Sequence, residues 1–490
     1  MKIHAADNVA VALEGLKGGE ALEIGGQSIR LLGDIPAGHK FCLHPIKTGE
    51  PVIKYGFPIG RAQKAIASGE HVHTHNIVTG LGELLEYQYE PNFKKPAARM
   101  PGTFQGYRRP DDQVGIRNEI WIIPSVGCVN MVAKNIEKQA QKYAAGTVEG
   151  VYAFTHPYGC SQMGEDHANT RDALCGLVRH PNAGGVLVLG LGCEANQISG
   201  MQQALGEYDE RRVKFLVCQE VEDEEQAALS LIAELAEYAG SFHREPVPMS
   251  ELIVGLKCGG SDGFSGLTAN PLVGAFSDRL IAEGGTTILT EVPEMFGAET
   301  ILMNRCRTPE VFQKTVSLIN DFKDYFMRHG QVIYENPSPG NKAGGISTLE
   351  DKSLGCTQKG GSAPVEDVLR YTEPVKHRGL NLLQAPGNDL VASSAEAASG
   401  AQLVLFTTGR GTPFGSPVPT VKISTNSMLY ARKKNWIDFD AGRLLTGEPM
   451  EQLCEEFYEY VRALASGEIK TRTETEGMRD LAIFKNGVTL

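Results

Sequence analysis

Four times in this sequence a short apolar run ends in a glycine beside a cysteine: Val126-Gly127-Cys128, Tyr158-Gly159-Cys160, Leu191-Gly192-Cys193 and Lys257-Cys258-Gly259-Gly260. Thiolates are soft ligands that suit iron, either as a single ion or in a cluster where three cysteines leave one iron open to substrate. Cysteine is also a small buried hydrophobe, and for any one of the four that reading suffices. Cys128, Cys160 and Cys193 taken together bring iron ligation into view. The ten cysteines include no C-x-x-C pair, so the usual zinc and dithiol signatures are missing.

A second group is imidazole. His71-Val72-His73-Thr74-His75 alternates, so an extended strand sets all three rings on one face. Convergent imidazoles suit a divalent metal or proton transfer near neutral pH. His39, in Gly38-His39-Lys40-Phe41, and Lys54, beside Tyr55, could complete that face; a strand showing its histidines to solvent is the plainer alternative. His156 lies close to Cys160 in the same turn.

Carboxylates follow strand candidates in two patches, Cys258-Gly259-Gly260-Ser261-Asp262-Gly263 and Thr290-Glu291-Val292-Pro293-Glu294, where they could hold a cation or move protons. Asp262 would serve equally well as a helix cap or turn residue. Glu291 has no such packing explanation. Arg410, between glycines in Thr408-Gly409-Arg410-Gly411, has room to grip a carboxylate with both arms of its fork, although a surface arginine in a loop looks the same. Asn388 follows another strand candidate, and the loop Glu335 to Gly345 offers Asn341 and Lys342 to a polyhydroxylated anion or is simply a flexible connection. Gly190-Leu191-Gly192 lacks the rest of a dinucleotide fingerprint, and no Walker sequence occurs, so nicotinamide and nucleotide chemistry rank low.

The elements that must position these groups change character along the chain. Residues 1–92 read as short strands and turns, with candidates at Ala21–Ile24, Ser28–Leu32, Lys40–Pro45 and Val52–Tyr55. Residues 93–118, polar and proline-bearing, have the composition of a linker. From Glu119 the pattern is βα alternation, with strands expected at Ile120–Ile123, Val151–Phe154, Val186–Leu189 and Lys214–Val217, so 119–246 is an α/β unit. A second α/β unit, 247–490, has strand candidates at Leu252–Leu256, Thr287–Thr290, Asn381–Ala385 and Leu403–Phe406 and a helix-like stretch from Val365 to Tyr371. By this placement the glycine–cysteine pairs sit at carboxyl ends of parallel strands, where open α/β sheets bind ligands.

At 490 residues the chain exceeds one core's usual reach, so two or three domains are expected. The net charge of −12 argues against a nucleic-acid backbone binder, and the short basic clusters Arg108-Arg109 and Arg432-Lys433-Lys434 read as solvated surface. The amino terminus lacks the apolar core of a secretory signal, and no run nears the ~20 apolar residues of a membrane span. The expectation is a cytoplasmic protein with reduced thiols, free of membrane and nucleic-acid partners.

Taken together, the segments resemble the altronate/galactarate dehydratase family over essentially the whole chain. The resemblance rests on Gly38-His39-Lys40-Phe41, Val52-Ile53-Lys54-Tyr55-Gly56, Gly69-Glu70-His71-Val72-His73, Val114-Gly115-Ile116-Arg117-Asn118-Glu119, Tyr158-Gly159-Cys160-Ser161-Gln162, Gly190-Leu191-Gly192-Cys193-Glu194, Cys258-Gly259-Gly260-Ser261-Asp262-Gly263, Leu289-Thr290-Glu291-Val292-Pro293-Glu294-Met295-Phe296-Gly297, Glu335-Asn336-Pro337-Ser338-Pro339-Gly340-Asn341-Lys342 and Thr408-Gly409-Arg410-Gly411-Thr412-Pro413. It implies a β-clip (SAF-like) amino-terminal module, a middle α/β domain used in homodimerisation and a carboxyl-terminal Rossmann-like domain with the metal. It also implies dependence on ferrous iron, as a single ion or an iron–sulfur cluster, with Mn2+ as an alternative.

The implied reaction is loss of the C3 hydroxyl and C2 proton of an aldonate such as D-altronate, giving 2-dehydro-3-deoxy-D-gluconate. Galactarate or another sugar acid is the alternative substrate, and a non-catalytic sugar-acid binding protein the alternative class. On spacing, the metal candidates are Cys128, Cys160, Cys193, Cys258, Asp262 and Glu291. The base falls to His73 or His75, with His39, Lys54 and Lys342 as further catalytic candidates, and the substrate to Arg410, Asn341 and Asn388.

Overall fold

The computed structural model describes residues 1–82, 85–94 and 96–487. The first 80 residues build the small β module. Val9–Val11, Lys40–Cys42 and His71–Val72 form one antiparallel sheet, Pro51–Lys54, Phe57–Ala62 and Ile77–Val78 another, and Ala21–Ile24 pairs with Gln27–Arg30. Four turns share a pattern that the sequence reading passed over: an apolar residue (Leu16, Ile35, Ile46, Ile66) is followed three residues later by a glycine at φ 89°, 80°, 83° and 78°. Leu16 bridges to Ile35 and Ile46 to Ile66. At Gly69 a Cβ would lie 2.0 Å from the Arg30 carbonyl oxygen, so close approach as well as backbone angle requires glycine.

Among the described residues from 85 to 102 there is no regular structure, but the chain is fastened along the carboxyl-terminal unit: Tyr87 donates to Glu299, Tyr89 to the Cys306 carbonyl, and the Asn92 amide to the Asn304 carbonyl. The middle unit is a parallel sheet in the order Val151–Ala153, Glu119–Pro124, Ala183–Gly190, Val213–Val217. Ile120 and Ile122 face one apolar layer with Leu229 and Ile232, while Trp121 and Ile123 face the other with Leu174 and Val178. Burial on both faces explains why these strands read as unbroken apolar runs.

The carboxyl-terminal unit holds seven parallel strands in the order Val365–Leu369, Gly379–Leu383, Thr286–Leu289, Ile253–Cys258, Leu403–Thr408, Thr420–Ser424, Phe439–Asp440. The chain enters at Ile253–Cys258, builds outward through Thr286–Leu289, then crosses back to continue from Leu403–Thr408 on the other side. The winding therefore reverses between the strands that end in Cys258 and Thr408, and a ligand crevice belongs at such a point. The helix-like reading of Val365 to Tyr371 is corrected: Val365–Leu369 is an edge strand with alternating burial and a register shift between Val365 and Asp367. So short an apolar run fits either period, and pairing with Gly379–Leu383 decides it.

Buried charges join the units. Arg117 pairs with Glu474 at 2.7 Å, and Arg479 grips Glu119 through both arms at 2.7 and 2.8 Å. Lys40 and Lys54 of the amino-terminal module share Asp351, at 2.7 and 3.0 Å. Burial alone would lower both lysines. It takes Lys40 down to about 8, whereas for Lys54 the charges of Asp351 and Tyr55 more than reverse it. Beside them the module meets the carboxyl-terminal unit backbone to backbone: a Cβ on Gly263 or Gly345 would lie 1.9 or 2.4 Å from the Gly38 carbonyl oxygen.

Replacing Asp351 by Asn leaves two buried ammonium groups without their anion. Breaking a buried pair costs about 3–5 kcal/mol. The expected result is a lower melting temperature, with proteolysis that cuts first in the chain joining the amino-terminal module to the rest.

Candidate active site

Three sets of side chains gather at the carboxyl edge of the seven-stranded sheet and the module docked on it. The first is a buried donor group. Cys258 ends the strand Ile253–Cys258, Glu294 lies in the turn Val292–Met295 after the next strand, and Cys356 ends the helix Leu349–Cys356. Their ligand atoms lie within 4.8 Å of one another: Cys258 Sγ is 3.2 Å from Cys356 Sγ and 3.3 Å from Glu294 Oε2, and Cys356 Sγ is 3.0 Å from that oxygen. Ser261 Oγ donates to Cys258 Sγ at 3.5 Å.

Lysines surround the group. Lys257 pairs with Glu291 and, at 3.0 Å, with Asp389; Lys359 pairs with Glu291 at 3.0 Å and Lys352 with Glu294 at 2.7 Å. Burial would raise the Glu294 pKa, but Lys352, Lys257 and Lys359 outweigh it and bring it down to about 2. The hydrogen bond from Cys258, then burial, push the Cys356 thiol well above its ordinary range. Glu291 is held at φ 68°, a left-handed conformation that a non-glycine residue adopts at a cost of order 1–3 kcal/mol.

The second set lines a cleft of about 1140 Å³ at the winding reversal, between the amino-terminal module and the carboxyl-terminal unit. Asp262, Arg410, Asn426 and Arg432 supply its polar wall, Phe264 and Leu429 part of its apolar one. The Gly409 and Arg410 amides both donate to the Gly260 carbonyl, at 3.1 and 3.0 Å, so the loops after two neighbouring strands are stitched together. Asp262 accepts from Ser265, Thr425, Asn426 and the Phe264 amide; burial still pushes its carboxyl up. Gly409 makes room for it, since a Cβ there would lie 2.2 Å from the Asp262 carboxyl carbon.

The third set is imidazole. His39 and His73 send Nε2 to the carbonyls of Ala343 and Lys342, at 3.4 and 2.9 Å. Carbonyls only accept, so both Nε2 atoms carry the proton, and His39 Nδ1, 3.0 Å from His71 Nε2, must accept. This tautomer assignment leaves His71 Nδ1 as an acceptor. His75, exposed, lies with its ring 5.4 Å from that of His71. Burial, helped by neighbouring cations and imidazoles, lowers His71 and His73 to about 4, so both are neutral near pH 7.

The candidates of the sequence thus fall into different places. Cys258 and Glu291 enter the buried group, Asp262 and Arg410 the cleft, and His39, His71, His73 and His75 form one cluster that touches the short helix Pro339–Ala343, which carries Lys342. Lys54 is bound to Asp351. Asn341 caps its own short helix and donates to the Ser261 carbonyl at 2.8 Å, while Asn388 caps the helix Asp389–Ala398. Cys128, Cys160 and Cys193 lie on the middle sheet, all exposed.

Cys356, Asp351 and the three lysines were missed, and Glu294 entered the sequence reading only as a member of its carboxylate patch. Gly355-Cys356 repeats the glycine–cysteine pairing, and Lys257 interrupts an apolar strand; both were readable signals. The histidines give a prediction. The folded chain keeps these imidazoles neutral while the unfolded chain protonates near 6.5. Stability they contribute is therefore complete above pH 6.5 and lost as pH falls toward 4. Melting temperatures recorded across this window should fall, and less steeply in His71→Asn and His73→Asn.

Comparison with known proteins places these features in a family. Residues 249–489 match the D-galactarate/Altronate dehydratase C-terminal domain, 106–240 the D-galactarate dehydratase/Altronate hydrolase second domain, and 1–80 the Altronate/galactarate dehydratase SAF domain. Altronate dehydratase of Escherichia coli (strain K12) is 56% identical over 494 residues, covering 100% of this chain and 99% of that one. Altronate dehydratase of Bacillus subtilis (strain 168) is 56% identical over 497 residues, with the same coverage of 100% and 99%. Galactarate dehydratase (L-threo-forming) of Escherichia coli (strain K12) is 34% identical over 507 residues, covering 99% of this chain and 96% of its own. With its three segments matched in order and relatives aligned from end to end, this chain belongs to the altronate/galactarate dehydratase family.

Proposed function

We propose that this chain is a hydro-lyase that converts D-altronate to 2-dehydro-3-deoxy-D-gluconate in hexuronate catabolism. The observation that carries this reading is the 56% identity to two altronate dehydratases over the whole chain. The reaction removes the C2 proton and the C3 hydroxyl, and the enol formed then ketonises. A proton beside a carboxylate is weakly acidic, so catalysis must stabilise an enolate-like charge and help hydroxide leave.

The cleft supplies the binding half of that task. Arg410, exposed at its rim, takes the C1 carboxylate through a charge-assisted pair, with Lys342 of the short helix Pro339–Ala343 assisting. The neutral histidine cluster supplies the base: an imidazole lowered to about 4 stays unprotonated across the neutral range. His73 and His75 remain the candidates, with His71 added by its free acceptor nitrogen.

Ferrous iron fits the chemistry of the buried donor group. Two thiols and a carboxylate form a set that favours iron over harder ions such as Mn2+. Three lysines already offset Glu291, Glu294 and Asp389, so a divalent ion that displaces two thiol protons leaves the buried charge unchanged. Cys258, Glu294 and Cys356 would hold the ion, with Lys352 orienting Glu294. When bound, it supplies Lewis acidity. The same reading makes the protein a cytoplasmic homodimer, which light scattering at assay concentration checks; among the described residues no helix is long and apolar enough to cross a membrane.

The 34% identity to a galactarate dehydratase makes galactarate the competing substrate. Protein purified without oxygen should form 2-keto acid from D-altronate when ferrous iron is added, and much less from galactarate; the reverse preference, or no product, overturns the assignment. Cys258→Ser, Cys356→Ser and Glu294→Gln should each lower turnover and retained iron more than about 100-fold, since groups one step behind a metal's ligands already cost 10–100-fold. Arg410→Ala should raise KM about 10- to 100-fold, the scale of one charged hydrogen bond of about 1.5–3 kcal/mol.

A further inference from the structure

Cys258 Sγ and Cys356 Sγ are 3.2 Å apart, and both side chains are buried, at 1% and 3% exposure. Other buried thiols with a polar contact meet oxygen: Cys42 the His44 carbonyl, Cys175 that of Met201, Cys306 the Thr315 hydroxyl. All ten cysteines are free, so the sulfur pair is a reduced dithiol. Two thiols in contact have a chemistry that a single one lacks: they give up and take back a pair of electrons by forming and breaking one bond.

The elements that carry the two sulfurs are firmly held. Cys258 ends the strand Ile253–Cys258, the central one of seven, and Cys356 ends the buried helix Leu349–Cys356. That helix is fastened at Asp351 by Lys40 and Lys54, at Lys352 by Glu294, and at the Gly355 carbonyl by Asn270 Nδ2 at 3.0 Å. Neither element can withdraw without breaking buried ion pairs or sheet hydrogen bonds, so the sulfurs stay within reach of each other. A disulfide needs them at about 2.05 Å, a closing of about 1 Å that is shared between two side chains.

A small oxidant has a short way in. Asn336, half-buried, donates to Glu294 at 3.5 Å and accepts from Lys352 at 3.1 Å, and Tyr334 and Glu335 just before it are exposed. On that side one residue stands between Glu294 and solvent. Hydrogen peroxide, little larger than water, passes an opening of that size, whereas a bulky disulfide reagent does not.

We propose that Cys258 and Cys356 are an oxidative modification site, which a peroxide converts to a disulfide and a thiol reductant restores. Cys258, whose sulfur already receives a hydrogen bond from Ser261 Oγ at 3.5 Å, attacks first. Its sulfur bonds to one peroxide oxygen as the O–O bond breaks, giving a sulfenic acid, and the departing hydroxide takes the thiol proton as the first water. The Cys356 sulfur then attacks the sulfenic sulfur; the S–S bond forms as the S–O bond breaks, and the hydroxide released takes the Cys356 proton as the second water. Two thiols and one peroxide give one disulfide and two waters. Each sulfur loses one electron and each peroxide oxygen gains one. Oxidation also deprives Glu294 of two donors, since both thiols hydrogen-bond to its Oε2, at 3.3 and 3.0 Å. The crosslink stands on the sulfur contact alone, whereas its effect on turnover rests on the proposed function of the donor group.

The test treats the full chain, reduced and then freed of reductant, with a small excess of hydrogen peroxide that catalase afterwards destroys. Mass spectrometry of the alkylated, digested protein should show the peptides of Cys258 and Cys356 joined and lighter by two hydrogens, with Cys306 and Cys454 still alkylated. 2-Keto-acid formation from D-altronate should fall more than about 10-fold in step with the crosslink and return with dithiothreitol. Cys258→Ser and Cys356→Ser should each abolish the crosslink and leave the remaining thiol without a disulfide partner. Both cysteines alkylated after peroxide, or oxidised singly with no crosslink, overturn the site. A crosslink that forms while turnover holds overturns its effect on the reaction. A reduced chain that forms no 2-keto acid overturns the functional assignment, and the mass measurement still decides the crosslink.

Discussion

Two buried lysines of the amino-terminal module, Lys40 and Lys54, have Asp351 as their shared anion. That carboxylate sits on the helix Leu349–Cys356, and successive residues of the helix serve different parts of the molecule. Glu350 accepts from Thr79 and Gly80, Asp351 holds the lysines, Lys352 holds Glu294, and Cys356 completes the donor group. Docking of the module and construction of the buried site are therefore one event. A displacement of this helix would at once unpair buried charges and draw a thiol away from its partners, and uncompensated burial of charge resists that.

Electrostatics inside the carboxyl-terminal unit follow the same economy of space. Three lysines and three carboxylates lie around two thiols, and Glu291 accepts a left-handed backbone to face Lys257 and Lys359. Opposite charges held this close keep the Glu294 carboxylate ionised against the pull of burial. The hydrogen bond from Cys258, and then burial, hold the Cys356 thiol protonated.

Much of this was legible in the sequence, because strand ends carry their own grammar. The glycine–cysteine pairs, Asp262 and Arg410 all follow apolar runs that proved to be strands, and the sheet edge collects whatever such ends carry. The helix Leu349–Cys356 was not legible. All eight of its residues are buried, charged ones included, so it shows no polar face for a period to reveal. The charge of Asp351 is satisfied by residues some 300 positions away, at Lys40 and Lys54, and local pattern holds no trace of such partners. The strand Val365–Leu369 was misread for a related reason: its partner strand, and not its own five residues, selects the extended form.

The seam where Gly38 meets Gly263 and Gly345 brings main chain against main chain, with no side chain between. Most contacts between modules rest on rotamers, which can adjust when a neighbour changes. Here the gap is set by covalent geometry, much as a fixed spacer sets the opening of a gauge. The mouth of the adjoining cleft therefore cannot be widened or narrowed by exchanging residues along that line. Selection for sugar acids of a different length has to act on the rim, at side chains such as Arg410 and Arg432, and an amino-terminal module transplanted from a relative keeps the aperture only if it brings glycine to the same point.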